Sequence, residues 1–237
     1  MSNARSEHSL TLADGAAIAL IVQRHGSARR MKLRFDGIGD RALLTIPARA
    51  SLRHALDWVR AQSGWVEGQR NQMGSLVALE DGVQVPVEGE PLLIVGTGMP
   101  GRQVVIEDGH LLVGGPADHV GARVSRWLKV QAKAVLARET IDLAARHHLP
   151  LGAVSIGDPR SRWGSCSAQG DIRYSWRLIL APPHVRIATV AHEVAHLRHM
   201  HHGPDFHALV RAISPVDPDP ARAWLRSDGR GLHRYTA

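Results

Sequence analysis

The chain has 237 residues and one cysteine, Cys166, so no disulfide can form within it. No stretch approaches the roughly 20 apolar residues needed to span a bilayer. The longest early apolar run, Ala16–Val22, follows Asp14-Gly15 without a basic segment and reads as a strand rather than an export signal. A chain with neither signal nor disulfides is expected in a reducing cytoplasm, away from membranes. Phe, Tyr and Trp make up only 4% of the residues, which leaves few platforms for stacking bases and argues against a dedicated nucleic-acid module. Lysine occurs only at Lys32, Lys129 and Lys133, so the net charge of +7 is carried by arginine. The arginines are spread along the chain, as on a solvated surface. Nucleic acid therefore enters only as a secondary partner. Internal repeats and low-complexity tracts are also lacking.

Residues 1–10 are polar and read as loose. Three β-like runs follow, Ala17–Gln23, Met31–Phe35 and Ala42–Ile46, the last two separated by the turn-rich Asp36-Gly37-Ile38-Gly39-Asp40. Ser51 reads as the N-cap of one helix over about 51–70, with Ser63-Gly64 weakening its middle. Short strands return between Val83 and Val113, and Gly114-Gly115-Pro116 is the expected boundary. Residues 1–115 thus form a β-rich N-terminal region with one helix, and 116–237 a second domain.

That second domain opens with a long amphipathic helix, Asp118 to His147. A strand at Leu151–Ile156 precedes a hairpin whose arms, Arg162–Ser167 and Asp171–Leu180, are joined by Ala168-Gln169-Gly170. Pro182-Pro183 opens a further helix, and Gly203-Pro204 punctuates its end. Short helices over Pro204–Ile213 and Ala221–Arg226 complete the pattern, with Pro215, Pro218 and Pro220 read as a loop between them.

The chemistry concentrates in His192-Glu193-Val194-Ala195-His196. Histidines four apart lie one turn apart on one helical face and can share a single ion. Glu193 is offset to the side, where a carboxylate can take the proton of a water attacking a carbonyl. Ile187, Val190, Val194 and Leu197 form an apolar stripe that ties the helix to a core, and burying Glu193 there without a purpose is costly. A catalytic zinc takes three protein ligands and keeps one open position. His199 is too far along the same helix axis to join the pair, so the third ligand must follow a turn.

The spacing of His192, His196 and His202 equals that of the H-E-x-x-H-x-x-G-x-x-H pattern, except that His199 replaces its glycine. His202 precedes Gly203-Pro204, where the chain can leave the helix. His207 is the rival ligand. No glutamate occurs after Glu193, which excludes a late glutamate ligand, and Asp205, Asp217 and Asp219 are remote alternatives. His184, His199 and His201 read as solvated surface residues.

The C-terminal half resembles the YgjP-like zinc metallopeptidases, relatives of the SprT-like group. The resemblance rests on the run Asp158–Ser167, on Trp176–Pro183, on His192–Met200 and on His202-Gly203-Pro204-Asp205-Phe206. A fainter match, with a basic segment before Leu33 and with Trp65, extends it towards the N-terminus. It implies an α+β fold, a minimal zincin-like domain with a small antiparallel sheet packed on the active-site helices. It also implies one Zn2+ on His192, His196 and His202, with Glu193 as the general base. Two departures are His207, where the family usually has tryptophan, and Tyr174-Ser175, which replaces a more apolar pair.

The expected function is hydrolysis of peptide bonds in a polypeptide substrate. The segment Trp163–Cys166 is either the sheet edge that receives an extended substrate or a structural turn, and Arg162 and Tyr174 are candidate stabilisers of a developing oxyanion. The alternative function is a non-catalytic zinc-stabilised module that binds nucleic acid or a protein through its basic surface. A closed four-ligand site including His207 would favour it.

Overall fold

Alternation of buried and exposed residues builds the first strands. In the computed structural model, which describes residues 5–37 and 39–236, the chain divides into two compact units, Met1–Leu76 and Val77–Ala237. The first unit holds β1 (Arg5–Thr11), β2 (Ala17–His25), β3 (Lys32–Asp36) and β4 (Arg41–Pro47), followed by α1 (Leu52–Arg60) and α2 (Ser63–Met73). The sheet order is β1-β2-β4-β3, with two antiparallel outer pairs and a parallel central pair. Along β4, Ala42, Leu44 and Ile46 point inward, where they meet Leu20 and Val22 of β2 and Ala55, Val59 and Val66 of the helices in one core. Ser51 caps α1 by accepting from the His54 amide, as its sequence position suggests.

Two expectations need correction in this unit. Residues 5–10 are not loose but form most of β1, because Leu10 is an inward-facing core residue; residues 1–4 and Ile38 of the predicted turn lie outside the described residues. The single helix is two, broken at Ala61-Gln62 just before the Ser63-Gly64 pair. Trp65 consequently sits in the second helix and is exposed.

The second unit begins with β5 (Val77–Ala78), then β6 (Gln84–Val87), β7 (Glu90–Gly96), β8 (Val104–Glu107) and β9 (His110–Val113). Their order, β6-β7-β9-β8, again places a parallel pair between two antiparallel hairpins. The same topology therefore occurs twice in a chain whose sequence shows no repeat. Both hairpins here turn through two residues at positive φ, Glu88-Gly89 and Asp108-Gly109, as two-residue type I′ loops require.

Helix α3 (Val120–Arg146) packs Val120, Val124 and Leu128 against Ile94, Leu111 and Val113 of this sheet. That shared core is why the compact division falls after Leu76 and not at Gly114-Gly115-Pro116. The chain continues through β10 (Val154–Gly157), β11 (Gly164–Cys166), β12 (Ile172–Ser175), α4 (Pro183–Ala195), α5 (Pro204–Ile213), α6 (Pro218–Ser227) and β13 (Tyr235–Thr236), which pairs with β5.

The α+β class holds, but the sheet beside α4 is mixed: β11 runs antiparallel to β12, while β10 runs parallel to it. The hairpin arm predicted to reach Leu180 stops at Ser175, where a 3-10 turn over Trp176–Ile179 begins under the Ser175 cap. Helix α6 starts earlier than its apolar pattern suggests, because Asp217 caps it and Pro218 occupies the first position, where a missing N–H costs little. Among the described residues, no helix is long and apolar enough to cross a membrane.

Helix α4 is buried on nearly every side, and one ion network fixes its start. Arg186, with a side chain 5% exposed, makes contacts of 2.8–3.1 Å to Glu139 of α3 and one of 2.9 Å to Glu88 of the β6–β7 turn. The Glu88 amide also donates to the Ile179 carbonyl (2.7 Å). Removing one member of such a network leaves its partners desolvated without compensation. Arg186→Ala is expected to lower unfolding free energy by about 3 kcal/mol in urea denaturation, and Arg186→Lys to recover only part of it.

Candidate metal centre

Helix α4 carries the motif because its register leaves one face for chemistry. Val190, Val194 and Ala195 enter the core, while His192 and His196 emerge one turn apart. The helix does not run on to Gly203-Pro204, as the punctuation suggests. It ends at Ala195 with His196 as its cap, and the last turn tightens through Leu197 N to Val194 O (3.1 Å) and Arg198 N to Ala195 O (3.1 Å). The chain thus leaves the helix without glycine, and none of residues 196–202 has a positive φ. The missing glycine at His199 is no obstacle.

This early exit brings His202 back. The nitrogen donors of His192, His196 and His202 all lie within 4.8 Å of one another. His192 Nε2 and His202 Nε2 are 3.1 Å apart. Two donors each about 2.0–2.1 Å from a tetrahedral ion stand roughly 3.4 Å apart, so the spacing suits a shared cation. His196 Nδ1 lies 3.0 Å from the His199 carbonyl. A carbonyl can only accept, so Nδ1 carries the proton and Nε2 keeps its lone pair.

Burial first, then the neighbouring charges of His196 and His202, push the His192 pKa down to about 4. Burial also lowers that of His196, against the His199 carbonyl, which raises it. Neutral imidazoles are what a metal requires. The donor set therefore fits a divalent ion, and softer thiolate ligation is not needed.

Phe206, fully buried at the start of α5, lies against all three imidazoles, with ring centroids 4.9, 4.5 and 4.7 Å from those of His192, His196 and His202. The sequence placed it in a motif but gave no hint of this role. The carbonyl of His199 is a second contribution that residue type could not announce. His207 lies outside the cluster, its ring centroid 6.3 Å from that of His202, and His184 is on the surface.

Glu193 is 5% exposed, and burial drives its pKa up to about 7 despite the opposing charge of Arg162. Strand β11 passes so close that a Cβ at Gly164 would collide with the Glu193 carboxylate. Any larger residue there would force the Glu193 side chain to move. Ser175 N donates to Trp163 O and Ser167 N to Asp171 O, both at 2.8 Å, so the odd residues of β11 face β12. The main-chain groups of Gly164 and Cys166 therefore point to the opposite, outer edge.

Arg162 is exposed and lines a cavity with Glu193. Tyr174 does not reach it, being fully buried. Thr140 Oγ1 lies 2.6 Å from the Leu136 carbonyl and 3.0 Å from the Tyr174 hydroxyl; its one proton goes to the carbonyl, so Tyr174 donates to Thr140. Burial and the nearby Glu193 charge raise the Tyr174 pKa against the Thr140 hydrogen bond.

The sequence profile described as the YgjP-like metallopeptidase domain matches residues 29–228. The chain belongs to the YgjP-like metallopeptidase family. Neither the curated proteins nor the solved structures yield a match. The profile takes in residues 29–76 of the first unit and 77–228 of the second. A metal is thus implied for the YgjP-like site, and the three histidines are compatible with holding one.

The C-terminal tail supports the wall beside this YgjP-like site. Arg177 donates to the carbonyls of Leu232 (2.8 Å) and Tyr235 (2.9 Å) and pairs with Asp158 (2.9 Å). This places His233 against Trp163, with centroids 5.3 Å apart. Burial, then the charge of Arg177, lower the His233 pKa to about 4; Asp158 opposes, and Arg160 and Arg230 add to the lowering.

Between pH 6.5 and 4 the unfolded chain binds a proton at His233 that the folded chain refuses, so stability falls as pH drops through this range. Chemical denaturation from pH 7.5 to 4.5 is expected to show a shallower decline in His233→Gln than in the wild type.

Proposed function

We propose that the protein is a zinc-dependent peptidase that holds one ion on His192, His196 and His202 and uses Glu193 as general base. The observation that supports this most is the convergence of three imidazoles beside a buried carboxylate. Zinc, when bound, supplies Lewis acidity, lowering the pKa of a water towards about 7 and polarising the carbonyl to be attacked.

The residues of the chain do the rest. His199 and Phe206 fix the ring orientations. Glu193 takes the proton from the attacking water at a carboxylate oxygen and returns it to the departing amine nitrogen as the C–N bond breaks. Gly164 and Cys166 offer main-chain groups to an extended substrate, which would align as an added strand. Arg162, on the rim near Glu193, is positioned to offset negative charge on the carbonyl oxygen. Cys166 is not the nucleophile, since burial and the Glu193 charge raise its pKa and disfavour the thiolate. The reading places the protein in the cytoplasm, where this thiol stays reduced.

Glu193→Gln should retain stoichiometric zinc by elemental analysis and lose at least about 100-fold in hydrolysis of unfolded polypeptides. His196→Ala should lose the zinc as well. Turnover near wild type in Glu193→Gln would remove the assigned base. Gly164→Ala adds a methyl where the Glu193 carboxylate stands, and should lower kcat by an order of magnitude or more while zinc content is unchanged. Single-turnover assays on the zinc-loaded variant check it.

A further inference from the structure

Beside the histidine cluster lies a cavity of about 250 Å³. Its floor comes from helix α4 itself. Ala188 and Thr189 lie one turn before His192 and Glu193, and therefore on the same faces. Both are small. Thr189 turns its hydroxyl back to the Val185 carbonyl (2.8 Å), which leaves its methyl to the cavity. Val210 of α5, Ala221 and Leu225 of α6, and Trp163, which is backed by His233 and by Gly229, complete the lining. A Cβ at Gly229 would come within 3.0 Å of the Trp163 ring, so the tail packs directly against it.

The lining is mostly apolar, and its ionisable members are His192, the buried Glu193, the exposed Arg162 and the half-buried Arg222. Pockets that enclose whole small molecules run to roughly 300–1,000 Å³. This one is smaller and adjoins the reacting groups, so its size suits a single side chain of a longer substrate.

We propose that this cavity is the specificity pocket of the enzyme and receives an apolar side chain of leucine, methionine or phenylalanine size from a residue flanking the scissile bond. This deepens the peptidase reading and rests on it. Filling a largely apolar pocket releases water from both surfaces, whereas glycine or alanine leaves it partly empty. Lysine and arginine are disfavoured by the largely apolar lining and by the guanidinium groups of Arg162 and Arg222, which outnumber the one carboxylate, Glu193. Discrimination of about 10–100-fold follows for side chains differing by one or two methylenes. The determinants are Ala188, whose smallness leaves room beside α4, and Leu225, the large apolar residue that α6 contributes to the lining.

The test is cleavage profiling by mass spectrometry, using a peptide library and zinc-loaded protein. Wild type should cut beside Leu, Met or Phe at least about 10-fold faster than beside Gly, Ala, Lys or Arg. Ala188→Leu, which fills the floor, should shift preference to Ala and Gly. Leu225→Ala, which widens the pocket, should shift it to Phe and Trp. If Ala188→Leu does not fold, Leu225→Ala carries the test alone.

Cleavage that persists with a profile unchanged in the folded variants overturns the pocket and leaves the peptidase reading standing. If no peptide is cut, that reading fails, and calorimetry with leucine hydroxamate and glycine hydroxamate decides the pocket separately. Tighter binding of the leucine compound, diminished in Leu225→Ala, supports it, and equal affinities overturn it.

Discussion

Three imidazoles rest on one phenylalanine ring, and the rest of the centre is arranged to keep them there. Phe206 touches His192, His196 and His202 and is itself fully buried, so the rings cannot splay without opening the core. Facing nitrogen lone pairs this close, such as those of His192 and His202 at 3.1 Å, repel one another unless a shared proton or a cation lies between them. The packing energy of Phe206 and the surrounding helices offsets that repulsion and preorganises the donors, which lowers the entropic cost of binding an ion.

Each neighbouring element serves the same constraint. Helix α4 ends at Ala195, early enough for the chain to double back, and the turn presents the His199 carbonyl to His196 Nδ1. Helix α5 starts at Pro204 and delivers Phe206 in its first turn. Strand β11 closes the other side, with Gly164 leaving only the room the Glu193 carboxylate needs. The network of Arg186, Glu139 and Glu88 locks the beginning of α4 to α3 and to the β6–β7 turn. A rigid scaffold of this kind holds the Glu193 carboxylate and the three imidazoles in fixed relative positions.

Much of the site was legible because its signals are local. The four-residue spacing of His192 and His196 encodes a shared helical face, and the spacing to His202 encodes a turn, though not where it begins. No Gly or Pro marks the exit after His196, where the last turn tightens instead through Leu197 and Arg198. Phe206 and the His199 carbonyl act through three-dimensional proximity, which no residue type announces. In the fold, alternation revealed strands such as β4, but partners are set by long-range packing, so the parallel pairs β2–β4 and β7–β9 were not readable. Gly114-Gly115-Pro116 looked like a boundary because it breaks local structure. The chain nonetheless keeps one core across it, through Ile94, Leu111, Val113 and helix α3. The start of α6 was legible in principle, since Asp217 and Pro218 are a cap and a first-turn proline.

The central claim concerns which atoms hold the metal, and X-ray absorption at the zinc edge on the purified zinc-loaded protein addresses it directly. The account predicts three imidazole nitrogens at about 2.0–2.1 Å and a light oxygen scatterer in the remaining position, with one imidazole lost in His202→Ala. Four histidine nitrogens, or a coordination shell unaltered by His202→Ala, would contradict it.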